Sequence, residues 1–238
     1  MQPLIPDTTS DERMSGLERF LVRYLGQHSA EFGSPEGELS KFEMPAPLRR
    51  FLRFAGRWPG HNPHSPFPNR FCVQDQLCSL TPNKWAPVFQ YMDGLLIFVW
   101  ENQGCWVAAT KPQGEDPPVW ISEKCSHRDP IRAWRKLVAP LSHFLVSFVL
   151  QELMFGSEIV AVAPGALAKF EAACLPVQPV WINGEYAWDI DRPSYFFVAE
   201  RFLVRQAPAE ANGDDWYGCR DAEGAQVLKS LGLRSPIG

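Results

Sequence analysis

The 238-residue chain predicts an α+β fold organised around a central antiparallel sheet. Three observations carry that class. The unbroken apolar run Leu95 to Trp100, the polar Glu101-Asn102-Gln103-Gly104 and a second apolar run from Cys105 to Ala109 have the pattern of a β-hairpin. Apolar residues at helical spacing lie before it, at Leu17, Phe20, Leu21, Tyr24 and Leu25, and after it, at Leu141, Phe144, Leu145, Phe148, Val149 and Leu153. Short aromatic and β-branched runs then fill the last third. Such an order of helices, sheet, helices and more strands is that of a mixed α+β domain.

Residues 1–14 read as a flexible N-terminal arm and residues 15–238 as a single domain. Ser15-Gly16-Leu17-Glu18 fits a capping box, which predicts a helix over 16–29. Pro47 and Gly56 bracket a second helix, over 47–55, with Leu48, Phe51, Leu52 and Ala55 on its apolar face. Four prolines between Pro59 and Pro68 exclude regular structure there. In the central hairpin, a three-residue loop with Gly104 in the left-handed conformation sets Trp100 opposite Trp106 and Val99 opposite Val107. Both faces of Leu95 to Trp100 are apolar, so this strand is expected to be central. Asp116 to Trp120 reads as a turn into a strand, Pro140 as the start of a helix ending at Gly156, and 165–173 as a shorter helix. Asn183-Gly184 between aromatic runs marks a further hairpin. Strands are expected at 195–199, 202–204 and 216–219, and a closing helix over 221–231.

The net charge of −4 argues against general nucleic-acid or anionic-membrane binding. No apolar run approaches the ~20 residues that cross a bilayer. MQPLIPDTTSDERM shows no basic segment followed by an apolar one, so no signal peptide is expected. The scattered Cys72, Cys78, Cys105, Cys125, Cys174 and Cys219 form no CxxC pair, the usage of cytoplasmic free thiols.

The order of several segments resembles the SUKH superfamily, which includes the SMI-KNR type domains and a branch of bacterial immunity proteins. The segments are LRRFLRFAG at 48–56, Gly94 to Gly104 with its Glu101-Asn102-Gln103-Gly104, Pro117-Pro118-Val119-Trp120, and Leu141-Ser142-His143-Phe144-Leu145. The proline-rich loop at 59–68 departs from that pattern. The resemblance implies an antiparallel sheet of about six strands with helices packed on one side. It also implies a non-catalytic binding module without cofactor, most often an intracellular antitoxin that binds and blocks a toxin, frequently of nuclease type. A regulatory or scaffolding module binding host proteins is the alternative within the same resemblance.

Weighed residue by residue, the sequence offers no catalytic constellation. His61 and His64 lie in the proline-rich loop without further ligands, short of the three or four that zinc needs. An enzyme would have to draw on Cys105, His143 or the pair Asp189 and Asp191, and no known catalytic signature joins them. Residues 207–225 hold five acids and one base around Trp216 and Tyr217, an edge suited to a basic partner such as a nuclease groove. Asp214, Asp215, Trp216, Tyr217 and Glu101 are therefore the candidate partner-binding residues. A solvated loop with core rings and a locally hydrogen-bonded turn are the plainer readings of the two segments. The arginine row Arg49, Arg53 and Arg57 is either a wet helix face or a phosphate site, and the overall charge disfavours the second.

Overall fold

The computed structural model describes residues 2–26, 28–56, 89–101, 106–123, 133–157, 159–184, 194–199, 201–206 and 214–233. The helices are α1 (Ser10–Leu25), α2 (Glu36–Leu39), α3 (Ala46–Ala55), α4 (Leu141–Phe155), α5 (Ala166–Ala172) and α6 (Ala222–Ser230). The strands are β1 (Gln90–Met92), β2 (Leu95–Trp100), β3 (Trp106–Thr110), β4 (Pro118–Glu123), β5 (Arg135–Pro140), β6 (Ile159–Pro164), β7 (Val177–Gly184), β8 (Ser194–Ala199), β9 (Phe202–Gln206) and β10 (Asp214–Cys219). The class is α+β, as expected.

The strands divide into two antiparallel five-stranded sheets, ordered β1-β2-β3-β4-β5 and β6-β10-β9-β8-β7, rather than one sheet of about six. The cause lies in α4. Its predicted stripe is one face of a helix that is apolar nearly all round, and every residue from Leu141 to Met154 is buried. A helix of that kind needs cover on all sides. It contacts β4 and β5 of the first sheet, β7, β9 and β10 of the second, and α1 and α3 besides.

Phe98 meets Phe144 edge to face at 5.8 Å, and Trp106 meets Phe148 at 6.3 Å. Toward the second sheet the contact is partly polar: the Trp181 indole N–H donates to the Ser147 hydroxyl at 3.0 Å, and that hydroxyl donates to the His143 carbonyl at 3.2 Å. Beyond the second sheet lies a smaller core holding Phe170, Phe202, Val204, Tyr217 and Leu228. Along β9, Leu203 belongs to the main core while Phe202 and Val204 belong to the smaller one. The two-residue side-chain period of a strand thus splits the interior in two. Helices consequently lie on both faces of the second sheet, with α4 on one and α5 and α6 on the other, instead of on one side only.

The start of the chain also differs from expectation. The capping box is Thr9 with Glu12, so α1 begins at Ser10, and Gly26 ends it with φ 74°. Residues 1–14 are not wholly a flexible arm. The Leu4 and Ile5 amides donate to the Pro179 and Val180 carbonyls at 3.0 and 2.9 Å, and Ile5 is fully buried. They extend the edge of β7, the outermost strand of its sheet.

In the central hairpin the expected register holds at the base, with Leu96 opposite Thr110 and Ile97 opposite Ala109. It slips by one toward the turn, where Val99 faces Ala108 and Trp100 faces Val107. A bulge at Phe98 absorbs the extra residue. The Glu101 amide donates to the Trp106 carbonyl at 3.1 Å, which leaves 102–105, with Gly104 and Cys105, as the connection and outside the described residues. β2 is interior, as its two apolar faces require. It is preceded by a two-residue hairpin turn, Asp93-Gly94, with φ 53° and 75°. Asn183-Gly184 ends β7, whose partner is β8 with Gly184 opposite Ser194. Residues 185–193 between them lie outside the described residues.

Two substitutions test this architecture. Phe148→Ala is expected to cost about 3–5 kcal/mol of unfolding free energy in urea titration, the range for truncating a fully buried ring. At Gly218 of β10 a Cβ would sit 2.6 Å from the Ser157 Cβ and 2.9 Å from the Met154 carbonyl oxygen. Gly218→Ala is expected to lower stability by about 1–3 kcal/mol by forcing β10 off the end of α4.

Candidate functional site

The residues expected to meet a partner are mostly structural. Asp215, at the start of β10, is 2% exposed. Helix α5 is capped at its start by Gly165, which adopts φ 62° and has no side chain to offer the free amides. The Asp215 carboxylate supplies what is missing and accepts from the Leu167 amide at 2.9 Å. Tyr217 is fully buried, its ring edge-on to Phe170 at 6.2 Å, and burial raises its phenol pKa. Asp214 pairs with Pro164 across the ladder of β6. Trp216 is half-buried and meets Phe155 edge to face at 5.6 Å. β10 is therefore an interior strand with a capping carboxylate, and Asp215 and Tyr217 are not accessible to a partner. Glu101, 8% exposed, directly follows β2, a strand of the other sheet.

Other charged groups have the same fate. The Asp116 carboxylate accepts from the Ser142 amide at 2.8 Å and its hydroxyl at 2.6 Å, closing the start of α4, where the capping position is the side-chain-inert Pro140. Arg13 braces that carboxylate at 3.5 Å and donates to the Ser142 hydroxyl at 3.1 Å. The arginine row of α3 is held internally. Arg49 and Arg53 both pair with Glu36, whose carboxyl is held below its usual value by the Arg53 hydrogen bond. Arg50 makes a two-pronged contact with Glu18 at 2.6 and 2.7 Å. Glu18 thus serves an ion pair rather than the capping box assigned to it, and Arg49 and Arg53 already have an acidic partner. Arg57 lies outside the described residues.

His143 is buried, edge-on to Trp181 at 4.8 Å. Cys105, His61, His64, Asp189 and Asp191 lie outside the described residues. Of the described cysteines, Cys174 is exposed and Cys219 buried, both as thiols. Among the described residues no group of acids, histidines and cysteines has the disposition of a metal site, and no helix is long and apolar enough to cross a membrane.

A concave feature that sequence reasoning missed lies between α1 and the beginning of β7. It is a cleft of about 500 Å³ whose lining includes Leu4, Phe20, Val177 and Val198, with the guanidinium groups of Arg23 and Arg220 beside them. No local signal announces it, because its walls come from both ends of the chain. The chain matches no family model, no curated protein and no solved structure.

Two measurements follow from the capping carboxylates. Asp215→Ala is expected to destabilise the protein by about 1–3 kcal/mol in urea titration, the cost of an uncapped, buried helix start. At Asp221, which caps α6, burial opposes the charge. The Gly224 amide at 2.9 Å and Arg201 at 2.8 Å outweigh it and hold the carboxyl below its ordinary 3.8. Folding therefore favours the ionised form. Its contribution is present above that ordinary value and is lost as pH falls through the lower folded value. Asp221→Asn is expected to flatten this acid limb when thermal stability is followed against pH.

Proposed function

We propose that this chain is a non-catalytic protein-binding module, and specifically a cytoplasmic immunity protein that binds and blocks a toxin domain, often of nuclease type. What carries the reading is the way the family-like segments meet. The Pro117 carbonyl, in Pro117-Pro118-Val119-Trp120, accepts from the Leu141 amide at 2.8 Å, at the start of Leu141-Ser142-His143-Phe144-Leu145. Asp116, next to the first segment, closes the helix that opens with the second. Phe98, from the strand ahead of Glu101, packs on Phe144 of the same helix. The segments that resemble the SUKH superfamily thus act as one packing unit around α4.

The commitment of ionisable side chains supports the non-catalytic part. Asp116, Asp215, Asp221, Arg50 and Arg201 each hold structural elements together. A group spent in that way is a poor acid, base or nucleophile, since catalysis needs a side chain free to change its partner. The blocking mechanism is steric and electrostatic, with a preformed surface covering the toxin's working groove.

Co-expression with the product of the adjoining gene, a toxin domain on this reading, tests the proposal. Growth is expected to be restored, and the two chains are expected to elute together at an equimolar ratio. Continued toxicity at matched expression of the folded chain, with no complex by size exclusion, overturns it for that pair.

A further inference from the structure

We infer that the cleft between α1 and β7 is a docking site for an extended, acidic and apolar segment of a partner protein, with Arg23 and Arg220 receiving its carboxylate. The inference rests on the protein-binding reading and names a surface for it, one opposite in sign to the acidic edge first suggested by the sequence.

The volume of about 500 Å³ falls in the range of built ligand sites and accommodates one large apolar side chain with a neighbouring polar group. The apolar wall is supplied by Leu4, Phe20, Val177 and Val198. Arg220 is preorganised: one guanidinium nitrogen donates to the Tyr24 carbonyl at 2.7 Å, its Nε lies 3.4 Å from Asp221, and the group rests 5.9 Å from the Tyr24 ring centre. Its side chain nonetheless stays 34% exposed. Arg23 is exposed and forms no ion pair among the described residues. Exposed Arg19, one turn earlier on α1, extends the positive charge.

The C-terminal end of α1 would ordinarily repel an anion. Here its Val22 carbonyl is taken by the Gly26 amide at 2.9 Å and its Tyr24 carbonyl by Arg220. A carboxylate entering the cleft meets guanidinium donors, which bind it in a paired, charge-assisted geometry.

The choice of an extended chain as occupant comes from the edge of β7. Leu4 and Ile5 already hydrogen-bond to its carbonyls at Pro179 and Val180. The cleft adjoins the same strand one step earlier, at Val177 and Gln178. An edge that accepts backbone from its own chain is suited to accept backbone from another.

The test uses the full chain, isotopically labelled, and three probes: acetyl-Glu-Leu-Phe-Glu-amide, its counterpart with glutamine in place of both glutamates, and phenylbutyrate. The acidic peptide is expected to give saturable NMR shifts at Arg23, Arg220 and Val177. Its dissociation constant is expected to rise about ten-fold in Arg23→Gln, the loss of one charge-assisted contact. Arg23 is exposed and outside the core, so this variant is expected to keep the parent melting temperature. Arg220→Gln, checked in the same way, serves as the second variant. Equal binding of the glutamine peptide overturns the inference, as does binding of phenylbutyrate without the peptide, or no shift with any probe. Co-expression separates this inference from the function it rests on. If the parent chain protects and Arg23→Glu protects equally, the cleft is not the docking surface and the immunity reading stands. If the parent fails to protect while the peptide still binds through Arg23, the immunity reading falls and the cleft remains a peptide site.

Discussion

Everything in this fold answers to one demand, the complete burial of α4. A helix with Phe, Leu and Val on all its faces cannot rest on a single sheet, because half its apolar surface would stay in water. Two sheets close over it, and α1 and α3 fill the remaining sides. The arrangement also fixes where polar groups are tolerated. Ser147 and His143 sit on the side facing Trp181, whose indole N–H would otherwise be buried without an acceptor. The side facing the first sheet carries the stacked rings of Phe144 and Phe148 instead.

A buried helix also needs its ends satisfied from outside, since water does not reach them. Asp116 does this for α4, and Asp215 does it for α5 across a sheet strand. In each case the local capping residue is unable to act, proline in one and glycine in the other. The acids that look like a recognition edge when counted along the chain are therefore partly an internal resource. Charge per segment measures what a stretch could present, but burial decides what it does present. The arginines of α3 are likewise matched, each by an acid from α1 or α2, although these pairs lie at the surface.

Much of the architecture was legible where punctuation is strong. Pro45 and Gly56 delimit α3, with Pro47 in its first turn, Pro140 and Gly156 delimit α4, and Asp221 opens α6. The Asp93-Gly94 turn carries a plain hairpin signature, beside the longer apolar run it introduces. The bulge at Phe98 was not legible, because an unbroken apolar run contains no mark of where one residue is to be skipped. The second sheet could have been anticipated from Val146, Leu150 and Met154, which fill the back of the α4 stripe. The candidate site was hardly legible at all. Capping by Asp215 and the cleft beside Arg23 both depend on residues far apart in sequence, and no window of the chain holds both partners.

The bonds from Leu4 and Ile5 to β7 carry a consequence for the order of assembly. Leu4 and Ile5 are separated from their partners, Pro179 and Val180, by most of the described chain. The same holds for Tyr24, whose hydroxyl and carbonyl are bound by Arg201 and Arg220. Helix α1 thus meets α3, its near neighbour in sequence, and α4, but its Tyr24 end is completed only by residues from the far part of the chain. Contacts of such long range slow folding and leave apolar surface open to association meanwhile.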